Sequence, residues 1–326
     1  MCKVNLKILI ILKTIWWGEN METIVKEIEK LKGVTVLLNE NMSQHTNFKI
    51  GGKAKVYCEV LNEKSLIKLL KLINLNEIEY HILGNATNVL FSDKDFDGIV
   101  VKLGGKLVKT KICGKKVYAS AGNSLMELNK LCASKGLMGL ELTYGIPASV
   151  GGAVRMNAGA FKVNVADNIE YVRFFNGKKV VKLKKDKLGF GYRTSLFASH
   201  PEYVILSCCF KLLKGDKDTI VKNMNDVLKK RLASQPYDKA SAGSVFKRNE
   251  NFIVSKCIDE LGLKGYKIGG AEVSTKHAGF IINNGKATCK DVINLIQYVQ
   301  EKVYENYGFV PELEVELMGD FDDFIR

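Results

Sequence analysis

The sequence predicts an α+β chain built in about three parts. Short runs with period-two apolar alternation mark strands, and amphipathic helices lie between them, joined by brief turns. One apolar stretch, Leu137 to Phe161, carries Gly139, Gly145, Gly151, Gly152 and Gly159. That density predicts irregular backbone, because each glycine costs a helix or strand about 0.5–1 kcal/mol relative to alanine. After Gly215-Asp216 the texture shifts to a lysine-rich helix, which sets a domain boundary near 214. With 326 residues, 46% of them hydrophobic and 26% charged, the chain is long enough for a sizeable core and ordinary enough in composition to be globular.

Taken in order, the chain starts with an apolar run at Leu6–Ile15, broken by Lys13 and too short to cross a bilayer. Lys3 and Lys7 precede it as in a signal peptide, but no small-residue cleavage site follows. Met21 then opens an amphipathic helix, Glu22 to Lys32, with Ile24, Val25, Ile28 and Leu31 on one face. The functional protein is therefore expected to begin near Met21, with residues 1–20 a dispensable extension. Lys53–Val60 alternates as a strand, and Ser65–Leu75 reads as a helix. Strands are expected at His81–Leu83 and Val89–Phe91, on either side of the small polar turn Gly84-Asn85-Ala86-Thr87-Asn88. Asp97-Gly98 reads as a turn before a strand at Ile99–Leu103.

Val108–Ile112 and Lys116–Ala121 form a hairpin around Cys113-Gly114, and a helix runs from Ser124 to Lys135 with Ser124 as its cap. Beyond the glycine-rich stretch, Ile169–Phe175 and Lys178–Leu183 pair around Asn176-Gly177. Gly189 to Ser195 is a second irregular stretch, followed by a strand at Val204–Leu213 and a helix at Thr219–Leu232. The last part holds a turn at Ser241–Phe246, a helix at Val254–Leu261, strands at Glu272–Ser274 and Gly279–Ile282, a helix at Lys290–Tyr307 and a final strand at Glu312–Met318.

The net charge of +14 admits nucleic acid, anionic membranes or polyanionic small ligands as partners. The lysines are spread along the chain with no aromatic interleaving, so a solvated surface is the reading, with no nucleic-acid or membrane partner expected. Eight cysteines show no C-x-x-C pair and four histidines are scattered, so no metal site is expected. Free thiols of this kind suit a reducing cytoplasm. The buried, glycine-rich segment must find partners for its backbone N–H groups. A pyrophosphate is one such partner, since glycine lets backbone donors close on an anion; a tight set of turns is the other reading. No G-x-G-x-x-G is present.

Several stretches together resemble one family. They are Thr46-Asn47-Phe48-Lys49-Ile50-Gly51-Gly52-Lys53-Ala54, Leu83 to Asp93, Gly145 to Phe161, Phe190-Gly191-Tyr192-Arg193, Ala242-Gly243-Ser244-Val245-Phe246, Gly269 to Asn283 and Pro311 to Gly319. In this order they resemble the UDP-N-acetylenolpyruvoylglucosamine reductases, which act as UDP-N-acetylmuramate dehydrogenases in peptidoglycan synthesis. The likeness spans nearly all of the chain after about residue 25; the first 20 residues have no counterpart. It implies a two-subdomain FAD-binding fold of the vanillyl-alcohol oxidase type at 21–107 and 108–213. An α+β substrate-binding domain would follow at 214–326. Family members come in two kinds, and the lack of room for an extra tyrosine-bearing loop between Arg193 and Ser244 implies the kind without it.

The resemblance implies FAD and NADPH as cofactors, UDP-N-acetylglucosamine enolpyruvate as substrate, and a cytoplasmic enzyme with no obligate protein partner. It implies that the flavin's pyrophosphate lies against Gly84, Asn85, Ala86, Thr87 and Asn88, and against Gly145, Ile146, Pro147, Ala148, Ser149, Gly151, Gly152 and Ala153. Ser244 is implied as the proton donor to the α-carbon, and Arg193 and Glu314 as the groups that stabilise the enolic intermediate. Without the resemblance, each of the three has a plainer reading: a turn serine, an arginine paired with Asp186, and a glutamate on a solvated strand face. Arg155 fits a flavin or phosphate contact as well as it fits a surface ion pair. Lys229, Lys230, Arg231, Gln235 and Lys247 are the candidates for holding UDP. A flavoenzyme of the same fold acting on a small alcohol is the alternative. Such enzymes often bind flavin covalently through His or Cys, and neither residue occurs in the two loops.

Overall fold

The computed structural model describes residues 21–321, so the expected dispensable extension lies outside the described residues. The chain is α+β, as its patterning predicts. Three sheets organise it. The first runs in the order Val34–Asn41, Lys53–Val60, Phe96–Leu103, Tyr80–Leu83. Its outer pair is antiparallel and the other two pairings are parallel. Side chains alternate across Lys53–Val60. Val56, Cys58 and Val60 face the main core with Leu66, Leu69, Leu70 and Ile73 of the helix Glu63–Leu75, while Tyr57 faces a smaller cluster with Met42, Phe91 and Phe96. The helix at residues 21–29 adds Ile24, Val25 and Ile28 to the main core.

The second sheet is wholly antiparallel, in the order Val180–Lys184, Ile169–Phe175, Val204–Lys211, Lys116–Ser120, Thr110–Cys113. Val117, Ala119, Val172, Phe174, Cys208 and Phe210 join the same core as the first sheet, so the two sheets share one interior. The third sheet orders Ala240–Ser244, Phe280–Asn283, Ala271–Val273 and Lys267–Ile268, and packs a second core against the helices Val254–Glu260 and Cys289–Tyr307, which also takes in Phe48, Ile50 and Leu90 of the first body. The helix Lys217–Ser234 lies between these bodies. Its Ile220 and Met224 pack on Ala133 and Tyr144 of the second part.

Several expectations need correction. Asp97-Gly98 is not a turn but lies inside Phe96–Leu103, a strand paired on both sides. Gly98 is required there because a Cβ would come within 2.5 Å of the Glu79 carbonyl oxygen. The glycine-rich stretch is not irregular throughout, for Val150–Arg155 forms a short helix capped by Ser149. Ser241–Phe246 is not a turn: Ala240–Ser244 is a strand whose pairing with Phe280–Asn283 carries a register shift between Ser241 and Ser244. The final strand is only Glu316–Met318. The edge strand Val34–Asn41 escapes the pattern because Leu37 and Leu38 are both exposed, which erases the alternation.

The third body is tied to the first by several contacts, among them Asn47 Nδ2 to the Ser241 carbonyl at 2.7 Å and Asn283 Nδ2 to the Phe48 carbonyl at 3.0 Å. Glu316–Met318 pairs in parallel with Val89–Phe91. Asp93 accepts from the amides of Cys289 at 2.8 Å and Lys290 at 3.0 Å, at the start of the helix Cys289–Tyr307. A carboxylate there satisfies free N–H groups and meets the positive end of the helix dipole. Asp93→Ala is expected to cost about 1–2 kcal/mol, seen as a lowered urea midpoint with an unchanged slope.

Candidate functional site

The two small-residue loops meet face to face. Asn85 Nδ2 donates to the Pro147 carbonyl at 2.9 Å, and a Cβ on Gly84 would collide with Ser149 Oγ. Lys102 Nζ donates to the Gly84 carbonyl, and the Asn47 amide donates to Ala86 at 3.1 Å. Tyr237 OH donates to the Gly145 carbonyl. The carbonyls of these loops are thus turned into the protein. Among the described residues, the amides of Asn85, Ala86 and Thr87 donate to no protein group, nor do those of Gly145, Ala148 and Ser149. Two rows of free donors around a space that glycine keeps open fit an anionic diphosphate. Gly151, Gly152 and Ala153 do not offer donors. Their amides go to the Ala121 carbonyl, Ser149 Oγ and the Ser149 carbonyl, so these residues pack the short helix.

The expected catalytic groups come from three distant segments. Arg193 sits in the tight turn bridged by Gly191 and Thr194, with φ of 51°. Its Nε donates to Glu314 Oε1 at 2.5 Å and its Nη2 to the Gly159 carbonyl at 3.1 Å. Glu314, not Asp186, is therefore its carboxylate partner. The Glu314 amide donates to the Val245 carbonyl at 2.7 Å, which sets Glu314 beside the residue that follows Ser244. Asn88 Nδ2 donates to the Glu314 carbonyl at 2.9 Å, and the Asn88 carbonyl accepts from Glu316 at 2.9 Å, which joins the first loop to this cluster. On the Ser244 side, a Cβ at Gly243 would lie 3.9 Å from the Thr87 carbonyl oxygen. The structure thus brings the Ser244 strand, the Arg193–Glu314 pair and the first loop to one place.

Burial pushes the Glu314 carboxyl above its ordinary range, against the opposing pull of Arg193, Lys247 and Arg248. Side chains of Arg193 and Glu314 are only 18% and 15% exposed, so little water screens them. Arg155 is engaged elsewhere: it meets Glu316 at 2.8 Å and donates to the Phe197 carbonyl, and so forms a partly buried ion pair. Among the residues considered for UDP, Lys229 is exposed, Lys247 meets Glu312 at 3.3 Å, and Arg231 donates to Gln235 at 3.4 Å. Lys230 lies over the Phe161 ring at 5.9 Å.

Lys102, Tyr237 and Asn47 shape the loops but were not singled out in the sequence. Lys102 left one readable sign, as a lone cation within the apolar strand run Ile99-Val100-Val101-Lys102-Leu103. Burial holds its ammonium below the usual lysine range, opposed by the nearby Glu59.

The fold and site define a flavin-dependent oxidoreductase: residues 54–182 match the FAD binding domain family. Residues 235–318 match the family described as UDP-N-acetylenolpyruvoylglucosamine reductase, C-terminal domain. The reductase of that name from Fervidobacterium nodosum is 43% identical over 286 residues, covering 87% of this chain and 92% of its own. The one from Thermotoga sp. strain RQ2 is 42% identical over 298 residues, covering 91% and 98%. The crystal structure of the Thermus caldophilus enzyme superposes with a TM-score of 0.75 at 34% identity, over 87% of this chain and 98% of that one. The chain belongs to the UDP-N-acetylenolpyruvoylglucosamine reductase family. No helix among the described residues is long and apolar enough to cross a membrane.

The raised Glu314 pKa has a consequence for stability. The folded protein favours the neutral acid more than the unfolded chain does. That contribution is therefore complete below the ordinary value of 4.5 and is lost as pH rises through the raised folded value. Glu314→Gln is expected to make folding stability less dependent on pH between about 4.5 and neutrality, measured by urea unfolding across that range.

Proposed function

We propose that this chain catalyses the NADPH-dependent reduction of the enolpyruvyl ether of UDP-N-acetylglucosamine enolpyruvate to UDP-N-acetylmuramate, a step of peptidoglycan synthesis in the cytoplasm. The supporting observation is the Arg193–Glu314 pair, which is partly buried, held against the Ser244 strand and hydrogen-bonded through Asn88 to the loop of free amides. FAD, when bound along those amides, supplies the hydride that NADPH provides.

Hydride addition at the β-carbon leaves negative charge on the α-carbon and carboxylate. Arg193 offers a planar cation that matches a carboxylate and stabilises the charge as it develops. Burial pushes the Glu314 carboxyl up, which favours the protonated form that this role requires, one that donates a hydrogen bond to the same group without repelling it. Ser244 passes its hydroxyl proton to the α-carbon and recovers one from solvent, which leaves the saturated ether. A serine hydroxyl is a weak acid, so the nearby guanidinium field is what makes this transfer feasible. On this reading the flavin-binding parts are 21–107 and 108–213 and the substrate domain is 214–326; the packing of Ile220 and Met224 on Ala133 and Tyr144 supports the helix Lys217–Ser234 as the link between them. No protein partner is needed for this chemistry.

The purified protein is expected to be yellow and to oxidise NADPH only when the enolpyruvyl substrate is supplied. Ser244→Ala should preserve flavin reduction by NADPH and slow the second half-reaction by about 10²–10⁴-fold. Stopped-flow traces in which both half-reactions stay intact would rule out the assigned role. Arg193→Ala should instead raise KM and lower kcat together.

A further inference from the structure

We propose that Arg231 is a diphosphate-binding residue at the junction of the Gly145 loop and the hairpin that carries Phe161. The inference deepens the functional reading and rests on it for the identity of the ligands. Arg231 is only 8% exposed, on the last turns of the helix Lys217–Ser234. Arg155, Arg173 and Arg193 each meet a glutamate. Arg231 meets only a neutral amide, Gln235 Oε1 at 3.4 Å, and its Nε has no partner among the described residues. A buried guanidinium without a carboxylate is costly, and the natural remedy is an anion from outside the chain.

The surroundings point to where that anion sits. A Cβ on Gly145 would lie 2.8 Å from Arg231 Cδ, so glycine there lets the loop approach the arginine closely. Tyr237 OH pins the Gly145 carbonyl and so fixes the loop, and the Gly145 amide, in the preceding peptide, donates to no protein group among the described residues. The Phe161 ring lies 5.8 Å from the Arg231 guanidinium, and Lys230 adds a second cation at 5.9 Å. Phe161 is 44% exposed at the tip of a two-residue turn between Gly159–Ala160 and Val163–Asn164. Phe161 and Lys162 both have positive φ, 51° and 65°, a strained conformation for side-chain-bearing residues. The same hairpin accepts from Arg193 at Gly159, so the arginine-lined corner adjoins the catalytic pair. A guanidinium with an unpartnered Nε and no carboxylate, a free amide and a second cation match a diphosphate. Both the flavin and the nucleotide-sugar substrate carry one.

Arg231→Met and Arg231→Lys in the flavin-loaded protein separate the two sources. Flavin retention is read by ultrafiltration, and UDP binding by titration of the flavin absorbance. A loss of flavin affinity of about 10- to 100-fold in Arg231→Met, with UDP affinity kept, assigns the flavin diphosphate. A similar loss of UDP affinity with flavin kept assigns the substrate. Unchanged affinity for both overturns the proposal. Arg231→Met should also fold at least as well as wild type without ligand, because it removes an uncompensated buried charge; a lowered ligand-free midpoint with both affinities intact makes the arginine merely structural. Should the methionine variant fail to fold, Arg231→Lys decides: intermediate affinity for one ligand supports the site, and wild-type affinity for both refutes it. Wild-type UDP binding that depends on Arg231 without substrate-dependent NADPH oxidation would sink the reaction but not the anion site.

Discussion

Everything at the candidate site depends on the parallel pairing of Glu316–Met318 with Val89–Phe91. The pairing carries the end of the chain back to the first body. It sets the Glu314 amide on Val245 and the Glu314 carbonyl on Asn88. From that fixed backbone the Glu314 side chain reaches Arg193, which arrives from the second body. One short strand thus joins three parts of the molecule, and Asp93 at the head of the helix Cys289–Tyr307 holds the same union from a second point. With these contacts, and with Asn47 and Asn283 bonded across the same junction, the third body has little freedom to rotate against the first.

The electrostatic design has two halves. In the loops, the carbonyls of Gly84, Ala86 and Pro147 are bound by Lys102, Asn47 and Asn85, and the amides of the same peptides, those of Asn85, Thr87 and Ala148, are left free. The free amides and the Lys102 ammonium behind them give positive potential, which suits a bound anion. Around Glu314 the design is reversed, with full charges placed in a poorly hydrated pocket. Burial and the guanidinium act on the carboxyl in opposite directions, and burial prevails. A carboxyl pushed up in that way takes a proton more readily than an ordinary glutamate, and in that form it can donate where an ionised one would repel.

Much of the fold was legible in local pattern. Lys53–Val60, Val89–Phe91 and the hairpins around Cys113-Gly114 and Asn176-Gly177 stand where alternation and turn residues put them. The misreadings have a common cause. Asp97-Gly98 looks like a turn because those residue types favour turns, yet Gly98 serves close approach by Glu79 in a central strand. Val150–Arg155 is helical despite Gly151 and Gly152, because Ser149 caps it and Gly151 lies against Ala121. In both cases a neighbour distant in sequence decided what the glycine was for. The site residues were legible only through the family's motifs: Ser244 between turn residues and Glu314 among alternating glutamates look ordinary in isolation.

The sequence alone determined the α+β class, the order of nearly all elements, the two glycine-bearing loops and the family. These follow from periodicity and from short motifs, which are properties of neighbouring residues. Tertiary structure alone decided that Arg193 takes Glu314 as its partner, that Lys102 turns the Gly84 carbonyl inward, and that Arg231 is buried without a carboxylate. Each joins segments roughly 20 to more than 100 residues apart, or depends on which groups lose water. Local pattern carries no record of either, because burial and long-range pairing exist only once the chain has closed on itself.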